Sequence, residues 1–131
     1  MIKVTCAIIE HKNKVLICQR SELMSLPLMW EFPGGKVETN ETYENCLIRE
    51  IKEELSIDVS IKSPLNQVIH IYDNKSITLI PFICTLHSSE IKLNEHKDLL
   101  WINPLDLLNY NLAPADIPIA NEYINTLQNH V

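Results

Sequence analysis

Glu50, Glu53 and Glu54 stand at i, i+3 and i+4, so a helix through them sets three carboxylates on one face. Like charges that close repel. Arg49 can pair with Glu53 at i, i+4, but an exposed pair contributes only about 0.3–0.5 kcal/mol, too little to compensate the cluster. A hard divalent cation, Mg2+ or Mn2+, compensates it better, because such ions prefer oxygen ligands, keep water and join carboxylates to phosphate oxygens. An ion held there reverses the local field, polarises a phosphoryl oxygen and lowers the pKa of a coordinated water. The bland alternative is a solvated acidic face, the ordinary meaning of E-x-x-E-E on an arbitrary helix.

The elements that must position these acids can be read around them. The segment Tyr43 to Leu55 is predicted as a helix, with Thr42 as N-cap, Glu44 in the first turn and Leu47, Ile48, Ile51 and Leu55 within about 100° of one another. At roughly 100° per residue the glutamates centre about 110° from that stripe, at the margin of the buried face. The chain has 2 glycines, adjacent at Gly34 and Gly35, which points to unusual backbone geometry or close ligand approach there. Upstream, Lys3 to Glu10 and Lys14 to Gln19 read as a hairpin around His11-Lys12-Asn13, followed by a loop Ser21 to Met29 and a short strand Trp30-Glu31-Phe32. Downstream, Asp58 to Lys62, Asn66 to Tyr72, Ser76 to Leu86 and Leu99 to Ile102 read as strands, with Pro81 marking an edge or bulge. A last helix is expected over about Ala115 to Gln128. Strands before and after one strong helix, with another at the end, predict an α/β fold with a mixed β-sheet sandwiched between α-helices, in one domain spanning 1–131.

With 131 residues, 46% of them hydrophobic, the chain is the size of one domain and needs no staples. A net charge of -6 repels polyanions, which argues against a nucleic-acid polymer as partner and requires any phosphate to be recruited locally by cations. No window approaches the roughly 18 apolar residues of a membrane span, and no leader pattern opens the chain, so a cytoplasmic protein without a membrane partner is expected. Cys6, Cys18, Cys46 and Cys84 form no C-x-x-C pair and lie in apolar stretches, as buried free thiols do. The 5 histidines show no H-E-x-x-H spacing, which argues against soft-metal chemistry.

Gly35, five residues, Glu41, seven residues, then Arg49-Glu50-Ile51-Lys52-Glu53-Glu54-Leu55-Ser56-Ile57 resembles the Nudix box, with one departure. Ser56 replaces a glycine that would suit the left-handed turn after the helix, a local cost on the order of 1 kcal/mol. Ser56 is not a metal ligand, so activity is expected to survive. The resemblance implies the Nudix fold, with Glu50, Glu53, Glu54 and the Gly34 carbonyl as metal ligands. It implies Arg49 among the catalytic groups and Glu41 as a supporting carboxylate, bound through water or to Arg49. Trp30-Glu31-Phe32-Pro33-Gly34-Gly35-Lys36-Val37-Glu38 resembles the MutT-type branch, which hydrolyses nucleoside triphosphates to the monophosphate and pyrophosphate. By that resemblance Arg20 contacts phosphate, and Gly35 and Lys36 lie on the substrate side. Arg20 can equally be a surface charge at a strand end. Glu95 is the best positional match for a further metal-binding or base carboxylate, with Asp98 in reserve and an ordinary loop charge as the alternative. Glu53 or Glu54 could instead deprotonate a metal-held water.

The tail Leu112-Ala113-Pro114-Ala115-Asp116-Ile117-Pro118, with Glu95-His96-Lys97-Asp98-Leu99-Leu100-Trp101, resembles the CTP pyrophosphohydrolase subgroup. Related MutT enzymes carry a base-reading asparagine at the position of Asp116. An ionised aspartate only accepts hydrogen bonds and so suits a donor-rich edge such as cytosine N4, although adenine N6 and the N1/N2 edge of guanine, including 8-oxoguanine, also donate. The other role open to Asp116 is N-capping the last helix. Phe32, Trp30 and Ile77 or Leu79 are either apolar walls for a base or core. The expectation is therefore an Mg2+- or Mn2+-dependent pyrophosphohydrolase of CTP, dCTP or modified nucleotides, sanitising the nucleotide pool as a monomer or homodimer. Its rivals are an 8-oxo-dGTP-selective, mutation-preventing diphosphatase, a non-catalytic Nudix-like nucleotide-binding module, and a structural protein with an acidic helix.

Overall fold

A computed structural model describes residues 1–88 and 90–129. Its strands are β1 (Ile2–His11), β2 (Lys14–Gln19), β3 (Trp30–Glu31), β4 (Gly34–Lys36), β5 (Val59–Pro64), β6 (Val68–Tyr72), β7 (Lys75–Leu86) and β8 (Asp98–Ile102). The helices are α1 (Tyr43–Leu55) and α2 (Ile117–Gln128), with two short 3-10 helices at Pro104–Asn109 and Pro114–Asp116 that the sequence pattern did not announce.

The β1–β7 pair forms the spine, parallel over the register Ile2↔Ile77 to Glu10↔Thr85. Both of its outer edges are shared. β2 pairs with β1 only at the hairpin end, Glu10↔Val15 and His11↔Lys14, while β4 pairs with it at Val4 to Cys6. β3 pairs with β2 at Cys18 and Gln19, so residues 30–36 fill the fork where β1 and β2 diverge. β4 was not expected, because glycines carry no strand propensity; its pairing comes from the edge that β1 offers. On the far edge of β7, β6 covers Lys75 to Leu79 and β5 covers Phe82 to Leu86. Pro81 lies between them, so its missing N–H falls at a gap in the ladder while its carbonyl accepts from the Leu65 amide at 3.0 Å. The proline is thus inside an internal strand, which corrects the edge assignment.

Helices cover both faces of this mixed sheet, as expected for the α/β sandwich. On one side Leu47, Ile51 and Leu55 of α1 are fully buried against Ala7, Ile9, Leu16 and Cys84. Each such side chain contributes about 1.5–3 kcal/mol on burial, which outweighs the modest propensity differences along the helix. Ile48, placed in that stripe from its spacing, is instead 38% exposed. On the other side Ile119, Ala120 and Tyr123 of α2 close over Cys6, Ile8, Ile17 and Phe32. The four cysteines are free and buried.

Candidate active site

The Thr42 hydroxyl caps α1 by accepting from the Asn45 amide at 3.1 Å, and Ser56 ends it in the left-handed conformation, φ 58°. Between those ends, packing of Leu47, Ile51 and Leu55 on the sheet sets the rotation of the helix, so Glu54 turns inward and Glu53 outward. Glu54 is 5% exposed and its Oε1 accepts from the Gly34 amide at 3.1 Å, joining the acidic helix to the double-glycine strand. Neither glycine adopts a positive φ. The close approach at this spot is by the protein's own groups: a Cβ on Gly35 would lie 2.2 Å from the Glu50 carboxyl carbon, and one on Gly34 2.0 Å from the Thr5 carbonyl oxygen. The pair therefore needs no unusual backbone geometry, and both glycines also line a cavity.

Arg49 organises the outer acids. Its Nε and Nη2 donate to Glu41 at 2.6 and 3.0 Å, Nη1 donates to Glu50 at 2.9 Å and to Glu53 at 3.3 Å, and Nη2 also reaches the Lys36 carbonyl at 3.2 Å. The fork geometry of guanidinium suits this many acceptors. These bonds hold the Glu41 carboxyl down at about 2 and raise the Arg49 pKa further. Glu41 therefore meets Arg49 directly.

Burial pushes the Glu54 carboxyl up to about 9, with the charges of Glu95, Glu31 and Glu50 adding to it. Burial also raises Glu50, against the pull of Arg49. Among the described residues no three His, Cys, Asp or Glu side chains converge as a ready-made metal cage. The donor set nevertheless fits a hard cation in its chemistry: only oxygen ligands are on offer, and burial with mutual repulsion raises the Glu54 and Glu50 carboxyls, a cost that a cation would relieve. Glu50, Glu53, Glu54 and Glu95, with the Gly34 carbonyl, are the groups that would hold it.

A cavity of about 580 Å³ opens beside this helix. Gly34, Gly35, Lys36, Glu54, Phe32, Ile77, Leu79 and Asp116 line it, and Arg20 and Glu31 also border it. Glu50, Glu53, Glu95, Arg49 and Glu41 lie outside its wall. Trp30 does too, packing edge-on against Tyr110 with ring centroids 6.3 Å apart. Arg20 is no free surface charge: it donates to Glu31 at 2.7 Å and to the Ser25 carbonyl at 2.6 Å. Asp98 closes on its own neighbour, accepting from the Leu99 amide at 2.8 Å.

Asp116 precedes α2 but makes no side-chain cap; its Oδ2 accepts from the Phe32 amide at 3.0 Å instead. Burial, then the nearby Glu31 charge, pushes its carboxyl up to about 8. At neutral pH it keeps its proton and can donate as well as accept, which corrects the picture of an acceptor-only aspartate.

Two groups escaped the sequence analysis. Glu31 receives Arg20 on one oxygen and His96 on the other, at 2.7 and 2.8 Å, and acts on both Glu54 and Asp116. The available signal was a carboxylate lodged between Trp30 and Phe32. His96 is 5% exposed, with no partner for Nδ1. Only its place next to Glu95 hinted at a role.

Carboxylates gathered at a double-glycine strand beside a cavity, on a mixed sheet between helices, define the class: residues 4–122 match the NUDIX domain, and the chain belongs to that family of hydrolases. It is 35% identical over 124 residues to the CTP pyrophosphohydrolase of Escherichia coli strain K12, covering 95% of this chain and 92% of that protein. It is 42% identical over 84 residues to an 8-oxo-dGTP diphosphatase of Proteus vulgaris, covering 64% and 75%. The solution structure of a MutT protein of the Nudix hydrolase family from methicillin-resistant Staphylococcus aureus 252 is 47% identical and superposes with a TM-score of 0.77 over 95% of this chain and 96% of that one. Nudix hydrolases generally use divalent metal ions. No helix among the described residues is long and apolar enough to cross a membrane.

Proposed function

We propose that residues 1–131 form one catalytic domain that hydrolyses a nucleoside triphosphate to the monophosphate and pyrophosphate, with Mg2+ or Mn2+ as cofactor. The observation that carries this is the bond from the Gly34 amide to Glu54, which sets the acidic helix at the edge of a cavity that Asp116 also lines. The cation, when bound, neutralises phosphate charge and makes a water nucleophilic. Glu50, Glu53 and Glu54 hold it, Arg49 fixes the outer two and Glu41 fixes Arg49. Arg20 and Lys36 offer the cations at the cavity, Gly35 lets chain and substrate approach, and Phe32, Ile77 and Leu79 wall the base. Glu95, exposed and near enough for its charge to act on Glu50 and Glu54, takes the proton of the attacking water, with Glu53 the other solvent-facing acid able to do so.

A protonated Asp116 pairs with a base edge that carries an acceptor beside a donor, and cytosine N3 with N4 is such an edge. CTP or dCTP is therefore the proposed substrate, in keeping with the name of the Escherichia coli relative. The second reading is 8-oxo-dGTP, whose oxidised purine also presents a donor beside an acceptor, in keeping with the Proteus relative. Four unpaired thiols suit a reducing cytoplasm, where the triphosphate pool is found.

The test compares CTP, 5-methyl-dCTP and 8-oxo-dGTP with Mg2+, following pyrophosphate against orthophosphate, for the natural chain and Glu53→Gln. The cytosine substrates should lead, pyrophosphate should be the product, and the variant should lose about two orders of magnitude in rate while staying folded. A large advantage for the oxidised purine replaces the substrate; unaltered turnover in the variant removes the metal role, and binding without hydrolysis leaves a nucleotide-binding module.

A further inference from the structure

The last turn of α1 leaves four carbonyls without partners inside the helix. Lys52 O is taken by the Ser56 amide at 3.0 Å, as the left-handed ending allows. The other three are all taken by one distant segment. The Asn94 side-chain amide donates to Glu53 O at 2.8 Å, the Asn94 backbone amide to Glu54 O at 3.0 Å, and the Lys92 amide to Leu55 O at 2.9 Å. The second hydrogen of the Asn94 side-chain amide goes to the Ser56 hydroxyl at 3.0 Å. Both donors of that amide are thus spent on the end of the acidic helix.

Glu95 is the next residue. On its other side His96 is fixed to Glu31 at 2.8 Å and the Lys97 amide to the Gln19 carbonyl at 2.9 Å. A carboxylate on an otherwise exposed loop is therefore held between the helix that carries Glu50, Glu53 and Glu54 and the sheet that carries Glu31. Ser56 is the departure from the box resemblance, and its hydroxyl is part of this attachment; a glycine would ease the backbone but offer Asn94 nothing.

We propose that Asn94, bonded to the Ser56 hydroxyl and the α1 carbonyls, is a positioning residue that fixes Glu95 against the carboxylates of α1 for cation binding. The loop and the helix end move as one body, so the geometry of the acids is set by a helix cap. This rests on the proposed metal-dependent function, and its main readout is kept independent of turnover.

The experiment measures Mn2+ affinity of the full chain by titration calorimetry without nucleotide, and melting of the metal-free protein, for Asn94→Ala, Ser56→Gly, Glu95→Gln and the Asn94→Ala/Glu95→Gln pair. Asn94→Ala should weaken Mn2+ by about tenfold, as loss of a contact that orients metal ligands does, and Glu95→Gln, which removes a ligand carboxylate, by at least as much. The pair should be no weaker than Glu95→Gln alone, because a positioning residue has nothing left to position. Ser56→Gly should melt at a higher temperature yet bind Mn2+ less tightly. That variant covers the case in which Asn94→Ala fails to fold. Multiplying effects in the pair, unchanged Mn2+ affinity in Asn94→Ala or Ser56→Gly, or no Mn2+ binding by the natural chain each overturn the inference. A chain that shows the coupling but hydrolyses no triphosphate sinks the proposed function and keeps the inference; one that hydrolyses without the coupling does the reverse.

Discussion

Asp116 shows how far burial can move one residue's chemistry. Its carboxyl, 5% exposed and raised to about 8, keeps a proton at pH 7 and loses it at pH 9, when it becomes acceptor-only. A base edge that needs a donor is then served tenfold less often, since about one site in ten remains protonated one unit above the pKa. We predict that kcat/KM for the cytosine substrate falls about tenfold between pH 7 and pH 9 in the natural chain beyond what Asp116→Asn shows, because the amide donates at every pH. Parallel profiles would exclude Asp116 from base reading. The sequence disclosed this aspartate as a candidate but not its charge, which depends on its burial and on the nearby Glu31. The place of the glutamates at the margin of the apolar stripe was legible from the helical period that buries Leu47, Ile51 and Leu55, but not that Glu54 is the one of the three that is buried.

At the scale of elements, α1 was readable end to end because cap, stripe and left-handed stop agree, whereas β4 was not. Gly34-Gly35-Lys36 is a strand only because β1 leaves an edge there and because the absent Cβ atoms let two surfaces touch. The two glycines have different neighbours, so they should fail differently. Gly34→Ala drives a methyl into the Thr5 backbone and should cost on the order of 1–3 kcal/mol of stability. Gly35→Ala meets only the end of the Glu50 side chain, which can swing aside; melting should change little while Mn2+ binding and turnover drop by about tenfold or more. Equal losses of stability in both, with Gly35→Ala fully active, would show that Glu50 does not depend on lying against β4. Pro81 carries the same lesson: which side of a strand is left unpaired is decided by where β5 and β6 end, something no local pattern records.

For the whole molecule, acids of opposite tendency shape the pH dependence of folding. Glu54, raised to about 9, and Asp116, raised to about 8, bind protons in the fold that the unfolded chain gives up near pH 4 to 4.5. Between those limits the folded state holds more protons, so stability falls as pH rises from the ordinary carboxylate range towards 9. Glu41, held at about 2 by Arg49, works the other way: its contribution is present above the ordinary carboxylate pKa and is lost as pH falls towards 2. The metal-free protein should therefore be most stable near pH 5 and melt progressively lower towards pH 9. A divalent cation binds the deprotonated acids, so a fixed Mg2+ concentration should raise the melting temperature at pH 8 more than at pH 5; at a hundred times the dissociation constant at pH 8 the stabilisation there is about 2.7 kcal/mol. Chelation should restore the slope, and Glu54→Gln should flatten it in the metal-free protein while removing most of the Mg2+ response. A metal-free melting temperature that climbs from pH 5 to pH 9, or a Mg2+ effect of equal size at both, would mean that the buried acids are ionised in the fold without any cation, and the reason for placing one among them would be gone.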